Sequence, residues 1–283
     1  MNTPTENIIC TNCQTEFIGS YCPSCGEKKF DKHDLTIAHF AEETVEGLFH
    51  FDNKFFRTIK TLFTSPGQLS LDYVSGRKSR FVKPFQFFLI VNLIYFLLPL
   101  SNPFSLPLEN YIQYRPFTNY NTVATLNAKL AKEHTTIVNY EPRFKEEMHV
   151  NSKEFILVFI PAYALIFGLL FFNKKRTFAE HLVFATHYQA FVLIAFLVIP
   201  FIAEIGVGLA GIKYGNEFSQ VFDIIFSAVY TLALAAYLFF AFKKFYQAHW
   251  VQNLVVALAV ALVYFNLLQY YRMFLFYKIM YFA

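Results

Sequence analysis

Residues 182–203 read LVFATHYQAFVLIAFLVIPFIA, twenty-two residues without an Asp, Glu, Lys or Arg. A helix of about 20 residues crosses about 30 Å of hydrocarbon, so this stretch is long and apolar enough to span a bilayer. Four further apolar stretches of similar length lie at residues 84–101, 155–172, 221–242 and 254–271. The pattern predicts an all-α protein in which residues 84–283 form a membrane domain of five transmembrane helices.

The composition agrees with an integral membrane protein. Of the 283 residues, 55 % are hydrophobic, and there are 37 Phe and 18 Tyr, which lies outside the usual range of soluble domains. About eighty polar and amphipathic residues precede the first apolar stretch, so we expect insertion to begin with an internal span and not with a cleavable signal peptide. The expected location is the inner, cytoplasmic membrane of the cell.

Short basic loops predict the orientation. Clusters of basic residues are Arg77, Lys78, Arg80 and Lys83 before the first span, Lys174, Lys175 and Arg176 between the second and third, and Lys243 and Lys244 between the fourth and fifth. If five spans alternate, all of these residues lie on one side, which the positive-inside rule assigns to the cytoplasm. The N-terminus is then cytoplasmic and the C-terminus external. Residues 102–154 become an external loop that is large enough to fold or to bind a ligand.

All four cysteines lie within sixteen residues, as two C-x-x-C pairs: Cys10 with Cys13, and Cys22 with Cys25. Two intervening residues let both thiolates of a turn face one point, and two such turns can place four sulfurs tetrahedrally around Zn²⁺. Gly26 after the second pair permits positive φ, whereas Gln14 follows the first pair. We therefore expect residues 1–32 to form a cytosolic zinc-ribbon module with a structural Zn²⁺.

This module is too small to be stable without its metal. Phe17 and Tyr21 are expected to provide its apolar cover, which is too little for a core. A redox pair and a structural disulfide are the competing interpretations, and a reducing cytosol disfavours both. Four sulfur ligands leave no open position for catalysis. Residues 1–26 contain no Lys or Arg, so a protein partner is expected and nucleic acid is not.

Residues 33–83 form an amphipathic segment. Helices are expected after Asp34 and over residues 51–63, where aromatic residues oppose Lys54, Arg57 and Lys60. Basic stems that reach outward and aromatic rings that point inward are typical of helices in the headgroup region. Packing of these helices on a soluble core is the alternative, which is disfavoured because the chain offers no other soluble elements.

A basic run closes this segment directly before the first apolar stretch. It consists of Arg77, Lys78, Arg80 and Lys83. Each basic residue near an anionic surface contributes roughly 1 kcal/mol to its attraction, so the run predicts binding to the headgroups of membrane lipids.

Several of these motifs together carry a family resemblance. The motifs are the two cysteine pairs, Leu48-Phe49-His50-Phe51-Asp52-x-Lys54-Phe55, Pro66-Gly67 and Tyr73-x-x-Gly76-Arg77-Lys78-x-Arg80-Phe81-Val82-x-Pro84-Phe85. In this respect residues 8–100 resemble an uncharacterised bacterial family that joins a short zinc ribbon to a membrane region and is known as a domain of unknown function. The resemblance implies a layout and no activity. A looser similarity, in topology only, is to the five-span Yip family.

Few polar residues lie within the spans. The candidates among them for a role inside the membrane are Asn92, His187, Gln189, Asp223, Asn266 and Gln269. We expect His187, Asn92 and Asn266 to form hydrogen bonds between helices. A proton or cation role for Asp223 is an open hypothesis, although this residue is about one turn from the outer end and can reach outward.

The sequence leaves two classes of function open. No H-E-x-x-H, G-x-S-x-G or glycine-rich phosphate loop is present, so an enzyme is not expected. The favoured class is a membrane-anchored adaptor or regulator whose cytosolic zinc ribbon binds a protein partner. The alternative is a transporter or channel for a small solute or ion with a regulatory ribbon, although the broken helices and repeated halves common in transporters are not evident.

Overall fold

The computed structural model describes residues 7–29, 53–98, 104–113, 117–209 and 216–282, with the side chains of 154, 155, 204, 207, 208 and 216–226 excepted. The helix expected after Asp34 lies outside these residues, as does the side chain of Asp223.

Helices make up most of the described chain. Two short strands come first, β1 (Ile8–Ile9) and β2 (Glu16–Phe17). The helices that follow are α1 (Asn53–Thr64), α2 (Gln68–Val74), α3 (Pro84–Leu97), α4 (Leu108–Gln113), α5 (Thr122–Lys132), α6 (Ile137–Glu154), α7 (Phe159–Leu170), α8 (Phe178–Leu209), α9 (Asn216–Phe245) and α10 (Trp250–Phe282). Short 3₁₀ turns lie at Phe117–Tyr120, Phe155–Val158 and Phe172–Lys174.

Within the described ranges, four helical stretches are long and apolar enough to cross a membrane. They are Ile137–Leu170, Phe178–Ala203, Ser227–Phe245 and Trp250–Phe282, and they overlap four of the five expected spans. The expected first span forms α3, which has only 14 residues, a length of about 21 Å. Leu98 ends this helix in an extended conformation because Pro99 follows it, and proline disfavours helical geometry at the preceding residue. Crossing of the membrane by α3 therefore stays a prediction.

The chain divides into two compact units. The first consists of Met1–Leu98 and Phe159–Val260, and the second of Pro99–Val158 and Ala261–Ala283.

In the first unit, α8 is the central helix. Apolar residues surround this helix on all sides, as is typical of a buried helix, and α1, α2, α3, α7 and α9 all pack against it. Its aromatic residues meet those of the neighbouring helices: the ring of Phe184 lies 5.3 Å from that of Phe167 and 5.7 Å from that of Phe242.

The amphipathic segment before α3 packs onto these helices. Helix α1 buries Phe55, Thr58 and Leu62 and exposes Lys54 and Lys60, which confirms an amphipathic helix in this part of the sequence. The seven-residue helix α2 buries most of its residues against α8 and α9. Contact with the bundle, and not the headgroup region alone, therefore holds these two helices.

In the second unit, the expected external loop folds into helices. Tyr111 of α4 is fully buried, with its ring 4.9 Å from those of Phe117 and Phe276 and 5.9 Å from that of Phe144. The hydroxyl of Tyr271 donates a 2.9 Å hydrogen bond to the carbonyl of Ser152. At 33 residues, α10 is about 50 Å long, far more than a bilayer requires. Its final part therefore forms the core of this unit with residues 104–158.

Candidate metal centre

A β-hairpin positions the first cysteine pair. Strands β1 and β2 are antiparallel, with Ile8 opposite Phe17 and Ile9 opposite Glu16, so Cys10 to Cys13 fall in the connection between them. The amide of Cys10 donates to the carbonyl of Thr15 at 2.9 Å and closes this loop.

The second pair repeats the geometry of the first. An antiparallel bridge between Tyr21 and Lys28 frames it, and the amide of Cys22 donates to the carbonyl of Glu27 at 2.8 Å. In each turn the residue after the second cysteine has positive φ: 67° at Gln14 and 73° at Gly26. The sequence predicted positive φ at Gly26. The first turn adopts the same conformation although its residue, Gln14, is not a glycine.

The two turns bring all four sulfurs together. The four Sγ atoms lie within 4.8 Å of one another, and two of the distances, Cys10 to Cys25 and Cys13 to Cys22, are 3.5 Å. A metal ion with four bonds of about 2.3 Å to sulfur separates tetrahedral ligands by about 3.8 Å, so the cluster fits such an ion closely. The thiols are free, and 3.5 Å far exceeds the about 2.05 Å of a disulfide. The structure therefore assembles the predicted ligand set into a site that can hold a metal.

The cysteines differ in acidity because their surroundings differ. Hydrogen bonds from the side chain and then the backbone of Thr15 lower the pKa of Cys13 to about 6. The pKa of Cys25 is raised to about 11, since desolvation and the neighbouring thiols outweigh a hydrogen bond from the backbone of Glu27.

The residues between the cysteines attach this module to the loop before α3. Thr11 Oγ1 donates to the carbonyl of Gly76 at 3.0 Å, and Asn12 Nδ2 donates to Ser79 Oγ at 3.2 Å. The amide of Ser79 donates to Glu27 Oε2 at 2.9 Å, and Glu27 is almost completely buried. The candidate metal centre therefore holds in place the loop between α2 and α3, which contains Gly76, Arg77 and Lys78 and is called the Gly-Arg-Lys loop below. The cysteine spacing did not predict this role.

The four basic residues of this loop have different environments. Arg77 Nε donates to Asp72 Oδ1 at 2.9 Å, and that carboxylate is buried. Lys78 Nζ lies 4.8 Å from the centre of the Tyr73 ring, whereas Arg80 is exposed. Lys83 is half-buried at the start of α3. Binding of lipid headgroups by these residues stays a prediction. Arg77 already has an intramolecular partner, Asp72.

The Pro-Gly motif marks a close approach between helices. Gly67 precedes α2 with a φ of 83°, and a Cβ atom there would lie 2.6 Å from the carbonyl oxygen of Ala241 in α9. Only glycine combines this conformation with this distance.

Buried polar residues in α8 make some of the expected contacts between helices. His187 Nδ1 lies 2.9 Å from Ser70 Oγ of α2, which confirms a hydrogen bond between helices at His187. The hydrogen bond of Asn266 goes instead to Leu262 of its own helix. Within the described residues, Asn92 Oδ1 and both amide atoms of Gln189 are buried without a partner. The role of Ser70 was missed, because a serine in a short amphipathic helix carries no signal for a contact 117 residues away.

Comparison with known proteins gives one match. Residues 52–96, which include α1, α2 and the Gly-Arg-Lys loop, match the model of a family described as a protein of unknown function, DUF3667. No curated protein and no solved structure matches the chain. The matched segment and the cysteine cluster fit an uncharacterised family.

Proposed function

We propose that this protein is a membrane-anchored adaptor or regulator whose cytosolic zinc module binds a protein partner. The observation that carries the proposal is the exposed apolar surface of the module: Ile9, Ile18 and Tyr21 are each 60–63 % exposed.

Zinc is the metal proposed for the four-sulfur site. Four thiolates in tetrahedral geometry suit Zn²⁺ and leave no open position for a substrate, which supports a structural role and no catalysis. In the part of the module that the structure describes, residues 7–29, the core consists of Cys10, Phe17 and Cys22, with partly buried neighbours. A core of this size cannot stabilise a fold, so metal binding would supply the folding free energy.

The hairpin exposes two apolar residues on its outer face, Ile9 and Ile18. Side chains alternate along a strand, so Phe17 points into the module while Ile9 and the residue after β2, Ile18, lie on the opposite face. Exposed apolar residues on a module without cationic residues in its first 26 positions suit a protein surface better than nucleic acid.

The membrane domain supplies the anchor. Its proposed topology has five crossings, with α3 as the first, a cytoplasmic N-terminus and an external C-terminus. In support, Lys174 Nζ donates to the carbonyl of Gln247 at 3.2 Å, and Arg176 Nη2 donates to that of Phe245 at 3.0 Å. These bonds place two basic loops side by side, as alternating helices require.

A comparison of two double variants tests the adaptor proposal. Ile9→Ser with Ile18→Ser removes the apolar surface, whereas Ile9→Val with Ile18→Val keeps it. We expect both variants to retain one zinc per chain. Proteins cross-linked to the module in intact membranes should be recovered with the valine variant and lost with the serine variant. Identical sets of cross-linked proteins would contradict an adaptor role for this surface.

Gln189 supports the alternative of a small-solute transporter. Its amide is fully buried in α8 and makes no hydrogen bond within the described residues, which is expected where water or a polar solute enters a bundle. Gln189→Leu should abolish solute flux into proteoliposomes if this alternative is correct. An unchanged flux, or none in the wild type for a panel of ions and small solutes, favours the adaptor.

A further inference from the structure

Two loops of the first unit line an open, basic pocket that shares no residue with the metal centre. The connection between α7 and α8 and the connection between α9 and α10 line a cavity of about 450 Å³. Its wall includes Lys174, Lys175, Arg176, Glu180 and Gln247. The volume falls within the range of about 300–1,000 Å³ that is common for small-ligand sites.

The opposite loop holds two of these cations in place. Lys174 donates to the carbonyl of Gln247, and Arg176 donates to that of Phe245, with its guanidinium carbon 4.6 Å from the centre of the Phe245 ring. Basic residues that serve only to retain a loop in the cytoplasm need no such contacts. A cation ordered before a ligand arrives loses less entropy when it binds.

The charges of the pocket do not cancel. Arg176 Nη1 donates to Glu180 Oε1 at 2.8 Å, and the amide of Thr177 donates to Glu180 Oε2 at 2.7 Å, so this carboxylate is satisfied on both oxygens. Lys174 keeps two further N–H donors beyond its bond to Gln247, and Lys175 is exposed. Two positive charges therefore remain available to an anion.

We propose that this pocket binds a phosphate group, carried either by an anionic phospholipid headgroup or by a soluble phosphate. Ammonium groups are well suited to phosphate oxygens as point charges. The pocket lies where four helical stretches of membrane-spanning length begin or end, which is the level at which lipid headgroups are found.

The chain provides a matched pair of variants for the test. Lys174→Gln with Lys175→Gln removes the two available charges. Lys243→Gln with Lys244→Gln removes two exposed charges from the end of α9, in residues that do not line the pocket. Both changes lower the net charge by the same amount.

The experiment uses the full chain purified in a neutral detergent. In one arm, bound lipid is counted by native mass spectrometry during titration with phosphatidylglycerol or with phosphatidylcholine. In the other arm, inorganic phosphate is added at constant ionic strength, and the emission of Trp250, the only tryptophan and three residues from Gln247, reports binding.

We expect the concentration of anion at half-saturation to be about thirtyfold higher for the pocket variant, since each lysine contributes about 1 kcal/mol to binding. The same concentration for the control variant should stay within about threefold of the wild-type value. Binding of phosphatidylglycerol alone identifies a headgroup site, and binding of inorganic phosphate identifies a site for soluble phosphates. Equal weakening in both variants, no weakening in either, or equal binding of phosphatidylcholine would overturn the proposal. Lys175→Gln alone, which changes only an exposed side chain, repeats the test if the double variant does not fold.

Discussion

Gly67→Ala should destabilise the first unit strongly, since two costs apply at one position. A residue with a Cβ atom pays about 1–2 kcal/mol for the left-handed conformation that Gly67 adopts, with φ 83°. The new methyl group would also lie 2.6 Å from a backbone oxygen, that of Ala241, and relief of such overpacking costs about 1–3 kcal/mol. The sum, about 2–5 kcal/mol, is a large part of the about 5–15 kcal/mol that stabilises a typical protein.

Thermal unfolding of the detergent-solubilised chain, followed by Trp250 emission, measures this loss. We expect Tm to fall by about 5 °C or more, from roughly 2–4 °C per kcal/mol. Gly206→Ala in α8 is the control, because a Cβ atom there meets nothing within 4 Å and the residue is helical, so Tm should stay unchanged or rise. Gly67→Asn separates the two costs, since asparagine tolerates positive φ but still carries the Cβ atom. An unchanged Tm for Gly67→Ala would refute the close approach of α2 to α9.

Three further predictions concern the metal centre and the contact between α2 and α8. Cys22→Ser with Cys25→Ser should lower zinc from one equivalent per chain to none in elemental analysis, and an unchanged stoichiometry would exclude the four-cysteine site. Gln14→Gly should slow the transfer of zinc to a chelator. Glycine adopts the observed φ of 67° without the cost of about 1 kcal/mol that glutamine pays. Thr15→Gly is the control, because residue 15 does not have positive φ, and this change should not slow the transfer. Ser70→Ala should lower the free energy of unfolding by about 1–3 kcal/mol, because it leaves the His187 ring nitrogen buried and unpaired. The double variant with His187→Phe and Ser70→Ala should lose less than the sum of the losses in the two single variants.

The sequence by itself determined what depends on short-range spacing. Two C-x-x-C turns within a stretch of sixteen residues assemble a four-sulfur cluster because each turn closes locally. The hydrogen bonds that the amides of Cys10 and Cys22 donate to carbonyls five residues further along show this closure. Among the described residues, apolar runs of sufficient length determine four helices that can cross a membrane, since a helix pairs its own backbone groups where lipid offers no partner. The end of α3 before Pro99 is likewise a local effect, although it was missed when hydropathy alone was counted.

Only the tertiary structure decided which of these elements meet. Helix α8 is apolar on all sides, so its sequence marks no face for α2 or α9, and the pairing of His187 with Ser70 depends on how the helices pack. The same holds for the attachment of the metal module to Ser79 and for the grouping of residues 104–158 with the end of α10. Contacts between residues far apart in sequence arise from the complementary shapes of packed helices, which periodicity along one chain segment does not contain.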